Sequence, residues 1–304
     1  MLKKNKSVLL IGSDGFLGKY FQEVLEENGN DFLTWDISSG QDICEPINLP
    51  RFDYVINAAG IASPEKYVKK PVETMDVSYI GSKNVLDYCV REKVESVLMF
   101  SSSEVYGTPT PDCIPTKEDY IGSIPTRNSR SCYDIGKQVL ETLCYVYRNL
   151  YSLPVKVVRP FNFYGKYMGL NDNRVLSNWM RNFLKNEDID IYGDGNQTRT
   201  FCYVEDGIKM SLGVLERGRN GEVYNIGNPT PELTMKELAD IFCAAFSYEG
   251  RCKVKGYPDF YPKEEPLRRC PNIDKVVTDT GIQPKISLNE GLQKMFDYFK
   301  TLQK

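Results

Sequence analysis

The sequence predicts an α/β protein built on a doubly wound parallel sheet, with a smaller C-terminal lobe. Three observations point there: apolar strand-like runs alternate with helical periodicity, a glycine-spaced turn follows the first run, and the texture changes after Gly165. The runs are SVLLIG (7 to 12), FLTWD (32 to 36), YVINAAG (54 to 60), SVLMFSS (96 to 102) and PVKVVRPFN (154 to 162). Strands of a parallel sheet are buried on both faces, so they read as unbroken apolar runs rather than as alternation. Between them FLGKYFQEVLEENG and IGSKNVLDYCVREKV carry apolar residues at helical spacing. After Gly165 the chain turns rich in Tyr, Asn, Gly and Pro, as in GKYMGLNDNR and IYGDGNQTRTF, with short helical stretches such as TMKELADIFCAAF. The expected division is a domain over 1–165 to which 201–227 returns, and a lobe made mainly of 166–200 and 228–304. No internal repeat is visible.

Composition bounds the function. A chain of 304 residues, 41% hydrophobic and 26% charged, can bury a large core. Its net charge is -3, with neither sign in a block, so neither a nucleic-acid nor a membrane partner is expected. The first strand-like run begins at Ser7 and no apolar run approaches the ~18 residues of a membrane span, so the expected compartment is the cytoplasm. The nine cysteines (44, 89, 113, 132, 144, 202, 243, 252, 270) are scattered and never at C-x-x-C spacing. That pattern argues against a disulfide scaffold and against a metal site, and suggests mostly buried free thiols. Histidine is absent, which excludes Ser-His-Asp and Cys-His mechanisms and leaves acid-base work to Tyr, Lys, Glu, Asp or Cys.

GSDGFLG places Gly12, Gly15 and Gly18 between the first strand and the helix opened by Phe16 and Leu17. Glycines there allow a tight turn and let a pyrophosphate approach the helix N-terminus, the context required of a dinucleotide site. Asp36 ends the second strand, placed to accept from ribose hydroxyls. No arginine follows in Ile37, Ser38, Ser39 and Gly40, which selects NAD over NADP. The expected cofactor contacts also include Asp42, Ile43, Ala58, Ala59, Gly60 and Ser101. Asp14, a carboxylate inside the glycine turn, is suited to that place only if it points to solvent.

Tyr133 and Lys137 in RSCYDIGK share a helix face, which predicts an ammonium close enough to favour phenolate over phenol. FSSSEVYG (100 to 107) closes the fourth strand, at the sheet end where such folds keep their ligands. Its serines and Glu104 offer hydrogen bonds and a second acid or base.

Taken together, G-x-x-G-x-x-G, Ser-Ser-Ser-Glu-Val-Tyr-Gly and Tyr-x-x-x-Lys resemble the extended short-chain dehydrogenase/reductase family, NAD enzymes of nucleotide sugars with a Rossmann-like fold. EDYIGSIPTRNSRSCYDIGK, FNFYG, NDNRVLSNWM, YGDGNQTRTFCYV and PLRRCPNI resemble the UDP-glucuronate decarboxylases in particular. The resemblance implies that Tyr133 is the base that removes a sugar hydroxyl proton, that Lys137 supports it and binds the nicotinamide ribose, and that Ser102 bonds the same sugar oxygen. Ser103 and Glu104 match the Ser-Glu pair of the decarboxylases, where 4,6-dehydratases carry Asp-Glu. On the substrate side it implies roles for Asn162 and Arg174 in the cleft, for Tyr192, Gln197 and Arg199 around the nucleotide diphosphate, for Arg269 near sugar and phosphates, and for Tyr67 at the sugar carboxylate. Two positions depart from the pattern: Ser78 stands where the family has asparagine, and Asp76 where decarboxylases often carry lysine.

The reaction so implied is decarboxylation of UDP-glucuronate to UDP-xylose through a 4-keto intermediate, with NADH recycled internally. Alternatives are a 4-epimerase or 4,6-dehydratase on another nucleotide sugar, and a non-catalytic NAD-binding regulator. A homodimer is expected, because Val85, Leu86, Cys89 and Val90 on one helix and Ile135, Val139, Leu143 and Tyr147 on another exceed what one sheet face needs. The resemblance pairs these helices with their symmetry mates as a four-helix bundle.

Overall fold

The computed structural model describes residues 2–248, 250–257 and 266–302. The first part of the chain runs β1 (Val8–Ile11), α1 (Phe16–Asn28), β2 (Phe32–Trp35), β3 (Tyr54–Asn57), α2 (Pro64–Lys69), α3 (Pro71–Asp76), α4 (Ser82–Glu92), β4 (Ser96–Phe100), α5 (Ser131–Tyr151) and β5 (Val155–Pro160). A wider π turn, Val77–Gly81, joins α3 to α4. There follow β6 (Phe163–Tyr164), α6 (Val175–Leu184), β7 (Ile189–Tyr192), β8 (Thr198–Arg199), β9 (Cys202–Tyr203), α7 (Val204–Arg217), β10 (Val223–Ile226), β11 (Leu233–Thr234), α8 (Met235–Ala245), β12 (Cys252–Lys255), β13 (Arg268–Arg269), α9 (Asp274–Thr280) and α10 (Leu288–Thr301).

Six strands form one sheet in the order β10-β5-β4-β3-β1-β2, every pairing parallel. The two-residue period of a strand sends neighbours to opposite faces. Val8 and Leu10 thus meet Phe21 and Leu25 of α1 and Ile208 and Leu212 of α7, while Leu9 and Ile11 share the other face with Leu86 of α4 and Leu140 of α5. That double covering is why β1, β3 and β4 are buried along their whole length. The chain reverses its winding between β1 and β3, and the crevice outside their carboxyl ends is the ligand position of such sheets.

Local signals set the helix ends. Gly29 closes α1 in the left-handed region, φ 71°, with its N–H bonded to the carbonyls of Leu25 and Glu26. Thr234 and Glu237 form a reciprocal capping box at the start of α8. A separate core gathers Trp179, Met180, Phe242, Leu292 and Met295 from α6, α8 and α10. This smaller lobe hangs beyond the carboxyl ends of the large sheet's strands, through β6 paired with β9, and its strand pairs carry Tyr192, Arg199 and Arg269.

The residues expected to face a second copy need correction. Val85, Leu86, Cys89 and Tyr147 are buried in the sheet's own core, and Val90 and Leu143 pack against it. The period of a helix marks one apolar face, and here that face covers the sheet. The exposed large apolar side chains nearby are instead Val72, Tyr79, Ile80, Tyr145, Val146, Leu150 and Tyr151. The thiols also differ from expectation: four of the nine are buried, Cys89, Cys144, Cys202 and Cys270.

Candidate active site

At Gly12 the backbone lies at φ +80°, and a Cβ there would stand 2.5 Å from the amide nitrogen of Ala59. At Gly18 it would stand 2.1 Å from the carbonyl oxygen of Gly12. Both clashes are with backbone, so glycine is what lets β1, β3 and α1 close around this turn. The resulting cradle, with unbonded amides at the start of a 13-residue helix, fits a dinucleotide pyrophosphate. Asp36 accepts from the backbone N–H of Asp14 and of Ser38, at 3.0 Å each, which aims its carboxylate at the turn with lone pairs to spare. The Asp14 carboxylate is exposed and accepts from the Ser38 hydroxyl, so it is turned away from the cradle.

A cavity of about 330 Å³ runs from this turn to the smaller lobe. At the end of β4, Ser101, Ser102, Ser103 and Glu104 line it, and Tyr133 and Lys137 enter from the first turns of α5. Ser101 donates to Glu141 at 2.5 Å, and the Ser102 hydroxyl accepts from the Glu104 N–H at 3.2 Å. Burial pushes the Tyr133 phenol up to about 12, although a hydrogen bond with Ser102 and the charge of Arg174 act in the other direction. Lys137 is not what sets that value: its ammonium donates to the carbonyl of Phe100 at 2.7 Å and stands 5.9 Å from the Tyr133 ring centre. Burial brings Lys137 itself down to about 8. The spacing of four put both groups in one cavity, but burial, not the lysine, sets the Tyr133 value.

The opposite wall is cationic. Parallel pairing of β8 with β13 sets Arg199 directly beside Arg269, a like-charge pair that is unfavourable without an anion nearby. Glu104 supplies that anion: it bonds both guanidinium nitrogens of Arg269 and also Arg130. Burial alone would raise its carboxyl, but Arg269 and Arg130 hold it below its ordinary range. It is therefore an ionised acceptor. Behind it Asp134 bonds Arg130 at 3.5 Å and is pushed up to about 7, by burial first and then by the charge of Glu104. Arg174 is paired with Asp172 at 2.6 Å and lies over the ring of Phe16. Asn162 takes a left-handed backbone, φ 43°, which asparagine tolerates, and donates to the carbonyl of Thr200 at 2.8 Å. Gln197 donates to the carbonyl of Tyr192 at 2.9 Å, and Tyr192 lies beside Tyr257 with ring centres 6.4 Å apart.

Residues 8–227 match the NAD dependent epimerase/dehydratase family. UDP-glucuronic acid decarboxylase 1 of Danio rerio is 33% identical over 98% of this chain and 73% of its own length. UDP-glucuronic acid decarboxylase 3 of Arabidopsis thaliana is 34% identical over 97% of this chain and 90% of its own. The chain belongs to the NAD dependent epimerase/dehydratase family. Among solved structures, a UDP-glucose 4-epimerase of Thermotoga maritima with UDP-glucose superposes with a TM-score of 0.87 at 25% identity, covering 98% of this chain and 100% of that one.

Within this epimerase/dehydratase chain the cavity gathers most of the residues singled out from sequence: Gly15, Phe16, Leu17, Ala58, Ala59, Gly60 and Ser101 on the cofactor side, Ser102, Ser103, Glu104, Tyr133 and Lys137 at the centre, and Tyr67, Asn162, Arg174, Tyr192, Gln197, Arg199 and Arg269 beyond. Gly12, Gly18, Asp36, Asp42 and Ile43 lie outside its lining. Asp42 caps the turn to Cys44, accepting from its N–H at 2.8 Å, and Ile43 is buried in the sheet's core. Ser78, one of the departures, donates from the π turn back to the carbonyl of Thr74 on α3 at 2.8 Å. Sequence reasoning missed Arg130, Trp179 and Tyr257, which also line the cavity. Arg130 had a legible signal, since it stands three residues before Tyr133 on the same helix face; Trp179 and Tyr257 had none. Among the described residues no His, Cys, Asp or Glu cluster can hold a metal, and no helix is long and apolar enough to cross a membrane.

Proposed function

We propose that this protein decarboxylates UDP-glucuronate to UDP-xylose with bound NAD. The observation that carries the reading is the sharing of one cavity by Tyr133, Lys137 and Ser102 at the sheet end and by the register-paired Arg199 and Arg269 at the other wall. The similarity to decarboxylases, 33% and 34% identical over nearly all of this chain, supports the choice of reaction. NAD, when bound, accepts a hydride from the sugar and returns it. The turn of Gly12, Gly15 and Gly18 with Asp36 would hold its adenosine and pyrophosphate, and Lys137 its nicotinamide ribose.

The chain's own residues do the rest. Tyr133 takes the proton of the C4 hydroxyl, and Ser102 bonds the same oxygen and eases the loss of the phenol proton. Arg199 binds the diphosphate through charge-assisted hydrogen bonds, and Arg269, whose fork is taken by Glu104, adds positive charge beside it. Glu104 and Ser103 face the sugar's C5, with Glu104 fixed by Arg130 and Arg269. A carbonyl at C4 makes the substrate a β-keto acid, which loses carbon dioxide because that carbonyl can take the electrons. Incubation with UDP-glucuronate and a panel of other nucleotide sugars, followed by product masses, tests the reading. Carbon dioxide and a UDP-pentose are expected. Isomerisation of a UDP-hexose without loss of carbon would replace it with 4-epimerisation.

We also infer a homodimer through α5 and the π turn that leads into α4, supported by the exposed Tyr79 and Ile80 on that turn and Tyr145, Leu150 and Tyr151 on α5. Light scattering at micromolar concentration tests it, and a monomer mass would exclude it.

A further inference from the structure

Outside the cavity lining, in the smaller lobe, the Sγ atoms of Cys243 and Cys252 lie 3.4 Å apart. Cys243 is in the last turn of α8 and Cys252 begins β12. The fold holds them together from both sides. The N–H of Tyr248 bonds back to the carbonyl of Cys243 at 2.9 Å, turning the chain round. Phe246 stacks on Phe183 of α6 with ring centres 4.9 Å apart, and the Tyr248 hydroxyl donates to the carbonyl of Glu187. On the other side β12 is tied by parallel pairing to β7, with Cys252 opposite Ile189. No other pair of thiols in the described residues makes such a contact. Cys252 is exposed and reachable from solvent, and Cys243 is half-buried behind it.

We propose that Cys243 and Cys252 form an oxidisable dithiol, converted by a peroxide into a disulfide that clips α8 to β12. The exposed Cys252 sulfur attacks one oxygen of hydrogen peroxide and breaks the O–O bond; it keeps that oxygen as a sulfenic acid, and the departing hydroxide takes the thiol's proton and leaves as one water. Cys243 then attacks that sulfur, giving up its proton, and the hydroxyl departs as a second water. Two thiols lose two electrons and two protons, and the peroxide gains both. Burial raises Cys243 to about 12, consistent with its serving second in this order. A disulfide needs Sγ atoms near ~2.05 Å, so the two side chains must rotate toward each other as the bond forms. Closing a loop of this length stabilises the folded lobe.

The test uses the full chain, treated with hydrogen peroxide, alkylated and digested. Trypsin cuts after Lys236, Arg251 and Lys253, so the two cysteines fall on separate fragments, 237–251 and 252–253. The expected product joins these fragments, is about 2 Da lighter than their sum, and separates on reduction. The oxidised protein should also gain a Tm increase on the order of 5 °C, reversed by reductant and absent from Cys252→Ser. Free alkylated Cys243 beside an over-oxidised Cys252, or pairing of either with another cysteine, overturns the dithiol. An unchanged Tm in a protein that carries the cross-link overturns the clip.

Discussion

The ring of Tyr67 lies 5.1 Å from the ring of Tyr133 and within 13° of parallel to it. Tyr67 comes from α2 and is 2% exposed, so the stack fixes one face of the phenol proposed as base. Offset aromatic pairs contribute about 0.5–1.5 kcal/mol beyond their buried area, enough to hold a ring in one orientation. Tyr67→Phe keeps the stack and loses only the hydroxyl. It should leave kcat within about twofold while raising KM for a uronate several-fold, on the order of the 1 kcal/mol a hydrogen bond provides. Tyr67→Ala should lower kcat by about tenfold or more, because misplacing a catalytic group is costly. Equal kinetics for the two variants would show that the stack does not position Tyr133.

Removing the phenol oxygen tests the base directly. Tyr133→Phe should bind NAD as the parent does and lose turnover by ~10² to 10⁴, the usual contribution of general-base catalysis. Titration calorimetry and initial rates measure the two halves. Near-normal turnover would send the search for the base elsewhere in the cavity.

The buried Lys137 leads to a prediction about stability and pH. Its folded value, about 8, lies below the ordinary 10.5, so between those values the unfolded chain binds more protons than the folded one. Stability therefore rises with pH across that window through this group, and below pH 8 its burial costs the full amount. In Lys137→Met the cost is gone at every pH. The stability of the variant relative to the parent should thus be greater at pH 7 than at pH 10.5, by roughly 3 kcal/mol. Urea melts of both proteins at the two pH values measure it. A difference that stays flat with pH would mean that Lys137 is charged in the folded protein throughout.

How far the site could be read in the sequence depended on how local each cause was. The glycine turn, the end of β4 and the start of α5 are set by residues close in the chain, and Gly15, Ser102, Tyr133 and Lys137, which those local signals marked, all line one cavity. What was not legible arises between segments. Glu104 becomes a fixed anion only because β13, over 160 residues later, brings Arg269 to it. The Tyr133 pKa follows from burial under Tyr67 and the β4 end, which outweighs the lysine four residues on. Likewise the apolar stripe of α5 identified a buried face but not what buried it: Leu140, Cys144 and Tyr147 cover the sheet, and Tyr145 and Leu150 face outward.

The glycine cradle can be tested without turnover. Gly18→Ala places a methyl group against the Gly12 carbonyl, 2.1 Å from its oxygen, and backbone there cannot yield without displacing α1 from β1. NAD affinity should fall by at least about tenfold, and the variant should lose on the order of 2 kcal/mol of stability, as overpacked sites do. Gly29→Ala, where an added Cβ meets nothing within 4 Å, is the control for backbone strain, since its φ is 71°. It should cost stability but leave NAD affinity alone.

The last prediction concerns the lost carbon. Loss of carbon dioxide from a 4-keto uronate leaves an enolate at C5 that must take a proton. Glu104 cannot donate it, because Arg269 and Arg130 keep its carboxylate ionised. The proton must come from water or from another exchangeable group, so in heavy water the pentose should carry deuterium at C5. C4 should keep the substrate's own hydrogen, since that hydrogen leaves and returns within one active site. Glu104→Gln removes the negative charge at nearly constant shape and leaves Arg269 and Arg130 buried without the carboxylate they share, so stability should drop by about 3 kcal/mol. Substrate and NAD should still bind, but carbon dioxide release should slow by about tenfold or more, because Arg269 and Arg130 are no longer held in place beside the sugar. Deuterium at C4, or normal carbon dioxide release from Glu104→Gln, would respectively break the internal return of hydrogen and the role of Glu104. No carbon dioxide from the parent protein would remove decarboxylation altogether and leave 4-epimerisation, which uses Tyr133, Lys137 and NAD without loss of carbon.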